Sequence, residues 1–376
     1  VLSQDLTREA ALEDLRFLRI NIQQLNPGLV EYNPDFEKKS TALLEEVQSD
    51  LSLKAHYTKV SLLCALSKEG HFGIGYWSDA VHKGISNDEE AFLPFAVKII
   101  QGEIYVWGDY SLENPLSKRD KNLAINGRSS QEILKELYAC IPADANIQTY
   151  KAHKATQNFP WFYHFFIEQV DSYEVEFVPD GQMDSQVATV TARTRAERTA
   201  YAKIRYAFEA KPKLKPSIAD FYEWNIDQKL GYLKLKTFDY RLVNRYDLKA
   251  KKFYKEIFQE IQAKEVTQLI VDLRGNTGGR LEFAKEMVSY IRKEDVDVAF
   301  LKRSLSWKGK KKKKKSPRRA KEAFEGEIIV LVDGRTFSAG GSLARYLREY
   351  GNATIVGEEA GARYEGYVAG ESNELM

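Results

Sequence analysis

Residues 327–366, EIIVLVDGRTFSAGGSLARYLREYGNATIVGEEAGARYEG, constrain this chain more than any other stretch. The unbroken, β-branched run over 328–332 predicts a strand buried on both faces. Asp333 and Gly334 end it, and small residues follow at Ser338, Ala339, Gly340 and Gly341. Leu343, Ala344 and Leu347 then recur at helical spacing up to Gly351, and a second strand is expected over 353–356. This strand–turn–helix–strand unit puts the Ser338 hydroxyl where a helix begins. The backbone N–H groups there lack intrahelical partners and carry the positive end of the helix dipole. They could hold an oxyanion formed by attack of that serine on a carbonyl. The same position also suits a serine that merely caps the helix.

The pattern upstream repeats the theme. A strand is expected over 231–235, a helix over 248–263 with Asp247 as its N-cap, and a buried strand over 266–273 running into Arg274-Gly275-Asn276-Thr277-Gly278-Gly279. A helix marked by Phe283, Met287 and Ile291 follows, then a strand near 296–301. Strands alternating with helices imply a sheet with crossover connections. Reactive groups in such sheets gather at the carboxyl ends of the strands. Both the Gly278-Gly279 pair and Ser338 fall there.

With 376 residues, 43% of them hydrophobic, the chain is long enough for two or three domains. A net charge of +2 gives no global case for nucleic acid or a membrane surface. No apolar run is long enough to span a bilayer. The start, VLSQDLTREAAL, has no basic n-region or apolar h-region and no initiator Met, so a processed or trimmed chain without a signal peptide is expected. Cys64 and Cys140 lie far apart in apolar contexts and are expected as separate buried thiols rather than a disulfide or metal pair.

Towards the N-terminus, Thr7 caps an expected amphipathic helix over 7–25, and helices near 34–50 and 55–68 complete a helical cap. Lys68-Glu69-Gly70-His71 leads into the alternation Phe72, Ile74, Tyr76, so His71 is expected at the mouth of a strand. Of the other histidines, His56 and His82 are expected to face solvent, and His153 and His164 to lie in a polar loop and an aromatic cluster. Strands over 96–100 and 103–106 flank Gln101-Gly102, and 123–125 leads through Asn126-Gly127 to a helix over 131–138. The aromatic stretch 159–170 reads as core. Further strands are expected over 173–178, 187–193 and 203–209, and 211–216 reads as a linker. The run WKGKKKKKKSPRR at 307–319 reads as a solvated insertion, with a nucleic-acid arm as the alternative.

A serine nucleophile needs a base within reach. The elbow G-x-S-x-G fails at Ser338, where Thr336 stands in place of the first Gly. Gly340-Gly341-Ser342 comes nearer, which makes Ser342 a rival nucleophile. An α/β-hydrolase places its histidine after the serine, and no histidine follows His164. Cys/His metal clusters, HExxH and the P-loop are missing too. What remains is a serine late in the chain and a histidine early in it.

The segments KEGHFGIGYW, GYLKLKTF, LIVDLRGNTGG, VLVDGRTFSAGG and IVGEEAGARYEG resemble the tail-specific (C-terminal-processing) serine peptidase superfamily. The likeness is nearer to its tricorn-core and interphotoreceptor-retinoid-binding-protein branch, which includes secreted or lipid-anchored bacterial members. It implies an α/β, multi-domain chain: an N-terminal helical cap with the His-bearing strand over 1–78, a PDZ-like β-rich domain over 79–150, a β-rich connecting segment over 151–216, and a ClpP/crotonase-like ββα core over 217–376, incomplete at its C-terminus. It implies Ser338 as nucleophile and the Ala339 N–H with the Gly278-Gly279 backbone as oxyanion hole. The processing branch uses a lysine base, but Arg363 stands at the aligned place, and a guanidinium stays protonated. His71 matches the base of the tricorn-like branch, giving a Ser338–His71 dyad. In that branch a glutamate downstream of the serine orients the histidine, and Glu365 is the nearest candidate. No cofactor or metal is expected. The implied partner is a peptide or protein substrate, with no nucleic acid, and the implied location is extracytoplasmic. A non-catalytic protein holding peptides or apolar ligands in the same cleft is the alternative.

Overall fold

The computed structural model describes residues 5–26, 28–73, 90–206, 216–293 and 317–364. The chain divides into two compact units, one ending at residue 212 and one covering Lys213–Tyr367.

The first unit opens with four helices, α1 (Arg8–Leu25), α2 (Leu29–Tyr32), α3 (Phe36–Glu45) and α4 (Leu53–Leu66). Their apolar faces meet around Leu12, Leu15, Ile22, Phe36 and Leu63. Thr7 caps α1 by accepting from the Ala10 N–H at 3.3 Å, and Ser52 does the same for α4 through Ala55 at 3.2 Å. His56 does not face solvent as its sequence context suggests. It is buried on α4, with Nε2 3.1 Å from Asp14 Oδ2 on α1. Burial lowers its pKa, and Asp14 opposes that shift. His82 lies outside the described residues.

Next come β1 (Ala91–Phe92), β2 (Phe95–Ile100), β3 (Glu103–Asp109), β4 (Lys121–Ile125), β5 (Arg128–Ser129), α5 (Ser130–Cys140), α6 (Gln148–Phe166), β6 (Ser172–Val178), β7 (Gln186–Thr191), β8 (Arg193–Thr194) and α7 (Arg195–Tyr206). The main sheet has the order β2-β3-β4-β6-β7, with β5 beside β4. The expected boundary at 150/151 therefore does not divide two bodies. β4 pairs with β6 across it, and one core runs from Leu93 to Ala192. Two elements differ from expectation. His153 sits on α6 rather than in a loop, and 203–206, expected as strand, closes α7. No side chain of α7 is buried.

The second unit contains β9 (Tyr222–Asp227), β10 (Leu230–Leu235), α8 (Tyr240–Arg245), α9 (Ala250–Ala263), β11 (Gln268–Asp272), α10 (Leu281–Ile291), β12 (Glu327–Val332), α11 (Ala339–Gly351) and β13 (Thr354–Gly357). The sheet order is β13-β12-β11-β10-β9. Strands β10 to β13 are parallel, and β9 is antiparallel to β10. Leu233, Val271 and Val330 join Phe253, Phe283 and Leu347 in one core. Burial alternates along β12: Ile328, Val330 and Val332 are buried, whereas Ile329 and Leu331 are only partly so. The strand expected to be buried on both faces thus packs the helices with one. Lys249 rather than Asp247 occupies the N-cap of α9. The strand expected near 296–301 and most of the lysine run lie outside the described residues.

Candidate active site

Two loops meet at the carboxyl ends of β11 and β12. After β12, Asp333 Oδ1 accepts the N–H groups of Gly275 and Arg335, each at 3.0 Å. Thr336, fully buried, donates its hydroxyl to the Leu273 carbonyl at 2.9 Å. After β11, the buried Asn276 acts as a hub. Its amide donates to Leu235 O at 2.9 Å, its Oδ1 accepts from Gly278 N at 2.8 Å, and its carbonyl accepts from Phe337 N at 2.9 Å. The glycine loop is thereby tied to both β10 and the residue preceding Ser338.

Ser338 stands between β12 and α11 with φ 52° and ψ −123°. A side-chain-bearing residue is uncommon at positive φ, and such a conformation costs on the order of 1–3 kcal/mol. The serine does not act as a helix cap, because its side chain makes no capping hydrogen bond. Its carbonyl accepts from Ser342 N at 2.9 Å, one turn into the helix. Ser342 itself therefore sits in regular helix.

Glycine is required on both sides of this contact. A Cβ at Gly279, φ 126°, would lie 2.1 Å from Phe238 O, and one at Gly340 would lie 2.5 Å from Asn276 O. Gly278, φ 94°, packs directly on the Ser338–Ala339 backbone. One expectation needs correction: the Gly278 N–H is held by Asn276 Oδ1, so in this conformation it points to its own loop rather than to an incoming oxyanion. Ala339 N–H is the first of α11, and an N–H at that position has no partner within its helix.

Nearby on the same sheet, Asp272 is buried at the end of β11 and bonded by Arg274, Tyr232 and Lys234. Burial pushes its pKa up, but the hydrogen bonds from Arg274, Tyr232 and Lys234 outweigh that and hold it well below the usual carboxylate range.

His71 belongs to the first unit, in the turn after α4. Lys68 takes φ 53°, which folds the chain back so that Glu69 lies beside the imidazole. Glu69 is fully buried, and its Oε1 sits 2.7 Å from His71 Nδ1 and 3.3 Å from the His71 backbone N–H. The loop at 144–146 clamps this turn. Gly70 N–H donates to Asp144 Oδ1 at 2.7 Å, Ala145 N–H to Lys68 O at 2.9 Å, and Lys68 Nζ to Asn146 Oδ1 at 3.1 Å. Among the described residues, Glu69, His71 and Asp144 are the group whose donor atoms, all within 4.8 Å of one another, could hold a cation. Those atoms are engaged in the hydrogen bonds just given.

An aromatic-walled cavity of about 460 Å³ adjoins this turn, with Gly70, Phe72 and Gly73 on its wall and Tyr57, Trp161 and Phe166 among its lining. Cys64 and Cys140 also reach it, as free thiols whose pKa burial raises to about 12.

Sequence reasoning missed Glu69, a carboxylate only two residues from the histidine. The signal was the Glu-Gly-His spacing, which carries meaning only once the positive φ at Lys68 is known. Glu365, the carboxylate expected in that role, lies outside the described residues.

Residues 229–366 match the model of peptidase family S41. The carboxy-terminal processing protease CtpB of Bacillus subtilis (strain 168) is 29% identical over 130 residues, which are 34% of this chain and 24% of that protein. The match thus spans about a quarter of that relative's length. Among solved structures, mature CPAF complexed with lactacystin superimposes with a TM-score of 0.65 at 15% identity, covering 98% of this chain and 88% of that one. Mature CPAF gives 0.61 at 14% identity, over 94% and 84% of the two chains. At such identities the likeness is one of fold.

Proposed function

We propose that this chain, whose residues 229–366 match the model of peptidase family S41, is a serine peptidase cutting unfolded or tail segments of proteins. The observation that carries this reading is the backbone of Ser338, strained at φ 52° on a strand-to-helix turn and free of capping duty. Strain of that kind is retained where it presents a group for chemistry.

In the proposed reaction, Ser338 Oγ attacks the scissile carbonyl while its proton passes to His71 Nε2. The tetrahedral oxyanion is held by Ala339 N–H and, since the Gly278 N–H is occupied, by Gly279 N–H. The imidazolium gives its proton to the departing amine, leaving an acyl-serine. Water then attacks that ester with His71 again as base, releasing the acid and restoring the serine. Arg363 cannot replace the histidine, because a guanidinium does not give up its proton in the working range. Ser342, on regular helical backbone, lacks the strained presentation of Ser338. Peptide recognition is assigned to the sheet body around β2–β7, in the manner of a PDZ-like domain. An extracytoplasmic location follows from the resemblance to secreted members, and cell fractionation checks it.

The test compares hydrolysis of an unstructured, apolar-tailed peptide by the wild type and by Ser338→Ala. The reading requires Ser338→Ala to abolish turnover, and unchanged cleavage would end it. A second reading, a ligand-holding protein without catalysis, is favoured by the aromatic cavity beside the His71 turn. It predicts saturable binding of an apolar ligand together with no turnover by the wild type.

A further inference from the structure

We propose that Glu69 is the positioning residue of this site, fixing His71 in the tautomer that bears its proton on Nδ1 and its lone pair on Nε2. The inference rests on the reading of His71 as the base and supplies the orienting carboxylate that the sequence pattern sought downstream of the serine.

Glu69 is fully buried and directs Oε1 to both the ring Nδ1, at 2.7 Å, and the backbone N–H of His71, at 3.3 Å. An ionised carboxylate only accepts hydrogen bonds, so a contact of that length places the proton on Nδ1. The tautomer of a histidine is set by the bond its other nitrogen makes.

The support around the pair is as fixed as the pair itself. Ser67 Oγ accepts the Glu69 N–H at 3.2 Å and donates to Cys64 O at 2.6 Å, which anchors the turn to the end of α4. Asp144 Oδ1 accepts the Gly70 N–H at 2.7 Å, and Lys68 O accepts the Ala145 N–H at 2.9 Å. Rotating the imidazole away would cost the buried carboxylate its hydrogen bond to the ring Nδ1. Glu69 touches no reacting atom in this scheme and acts through His71.

The experiment is a long-range proton–nitrogen NMR spectrum of the full chain labelled with ¹⁵N-histidine, recorded above the histidine titration range. The His71 signals are assigned by their loss in His71→Gln. The wild type is expected to show a protonated Nδ1 and a bare Nε2, and Glu69→Ala to revert towards the Nε2–H form that free imidazole side chains favour. Glu69→Gln is expected to lower kcat by about 10²-fold or more, with KM changed only a few-fold. A wild-type Nε2–H tautomer, or full kcat in Glu69→Gln, overturns the proposal. Should either variant fail to fold, the wild-type spectrum decides alone. The spectrum needs no substrate, so a protein that shows the Nδ1–H form but cleaves nothing would sink the peptidase reading and leave the role of Glu69 standing.

Discussion

Gly278 lies so close to Ser338 that a Cβ added to the glycine would sit 2.7 Å from the serine Cβ and 2.7 Å from the Ala339 nitrogen. The glycine loop after β11 and the turn after β12 are thus fitted to one another at backbone contact. Gly278→Ala is expected to push the serine from its place. A misplacement of about 1 Å costs on the order of 10²-fold in rate, read as peptide hydrolysis. Gly275→Ala is the control: with φ 81° and no atom within 4 Å of the added Cβ, it should cost about 1–2 kcal/mol of stability and leave turnover near wild type.

Asn276 ties that loop down, so its removal should loosen it. In Asn276→Ala the Leu235 carbonyl and the Gly278 N–H lose their partner. Each buried group left unsatisfied costs about 1–3 kcal/mol, visible as a lower urea midpoint. The same variant frees the Gly278 N–H, so any activity it retains reports whether that group can serve the oxyanion.

Asp272 gives the second unit a defined acid response. Its folded pKa lies below the unfolded value of about 3.9, although burial alone would raise it, because Arg274, Tyr232 and Lys234 bond the ionised form. A depressed carboxylate contributes stability that is present above the unfolded pKa and lost as pH falls towards the folded one. Urea midpoints measured while acidifying below about pH 4 should therefore fall, and Asp272→Asn should flatten that part of the curve while lowering stability at neutral pH.

Cys64 and Cys140 are buried, and burial raises both thiols to about 12. The thiolate is the reactive form, so alkylation by iodoacetamide should be slow in the native protein and rapid in denaturant. Fast labelling of the folded chain would contradict their placement.

Much of the second unit was legible because local pattern and final position agree there. The apolar runs of β11 and β12 and the Gly-rich turns after them are properties of contiguous residues, and so is the small-residue entry into α11. What escaped depends on distant or conformational facts. The expected boundary at 150/151 fails because β4 pairs with β6, a choice that neither strand records. His56 reads as a surface residue until Asp14, 42 residues earlier, is packed against it. The alternation over 203–209 suggests a strand, yet 203–206 close helix α7. Glu69 was overlooked because a carboxylate two residues from a histidine meets its ring only through the turn that Lys68 makes at φ 53°.

The account depends most on Ser338 being an activated nucleophile rather than a residue shaping a turn. Incubation with a fluorophosphonate probe, followed by mass spectrometry of the digested protein, reads this directly. The account predicts one modified serine, Ser338, with labelling abolished in Ser338→Ala and strongly slowed in His71→Ala. An unlabelled wild type, or modification at Ser342 instead, would contradict it.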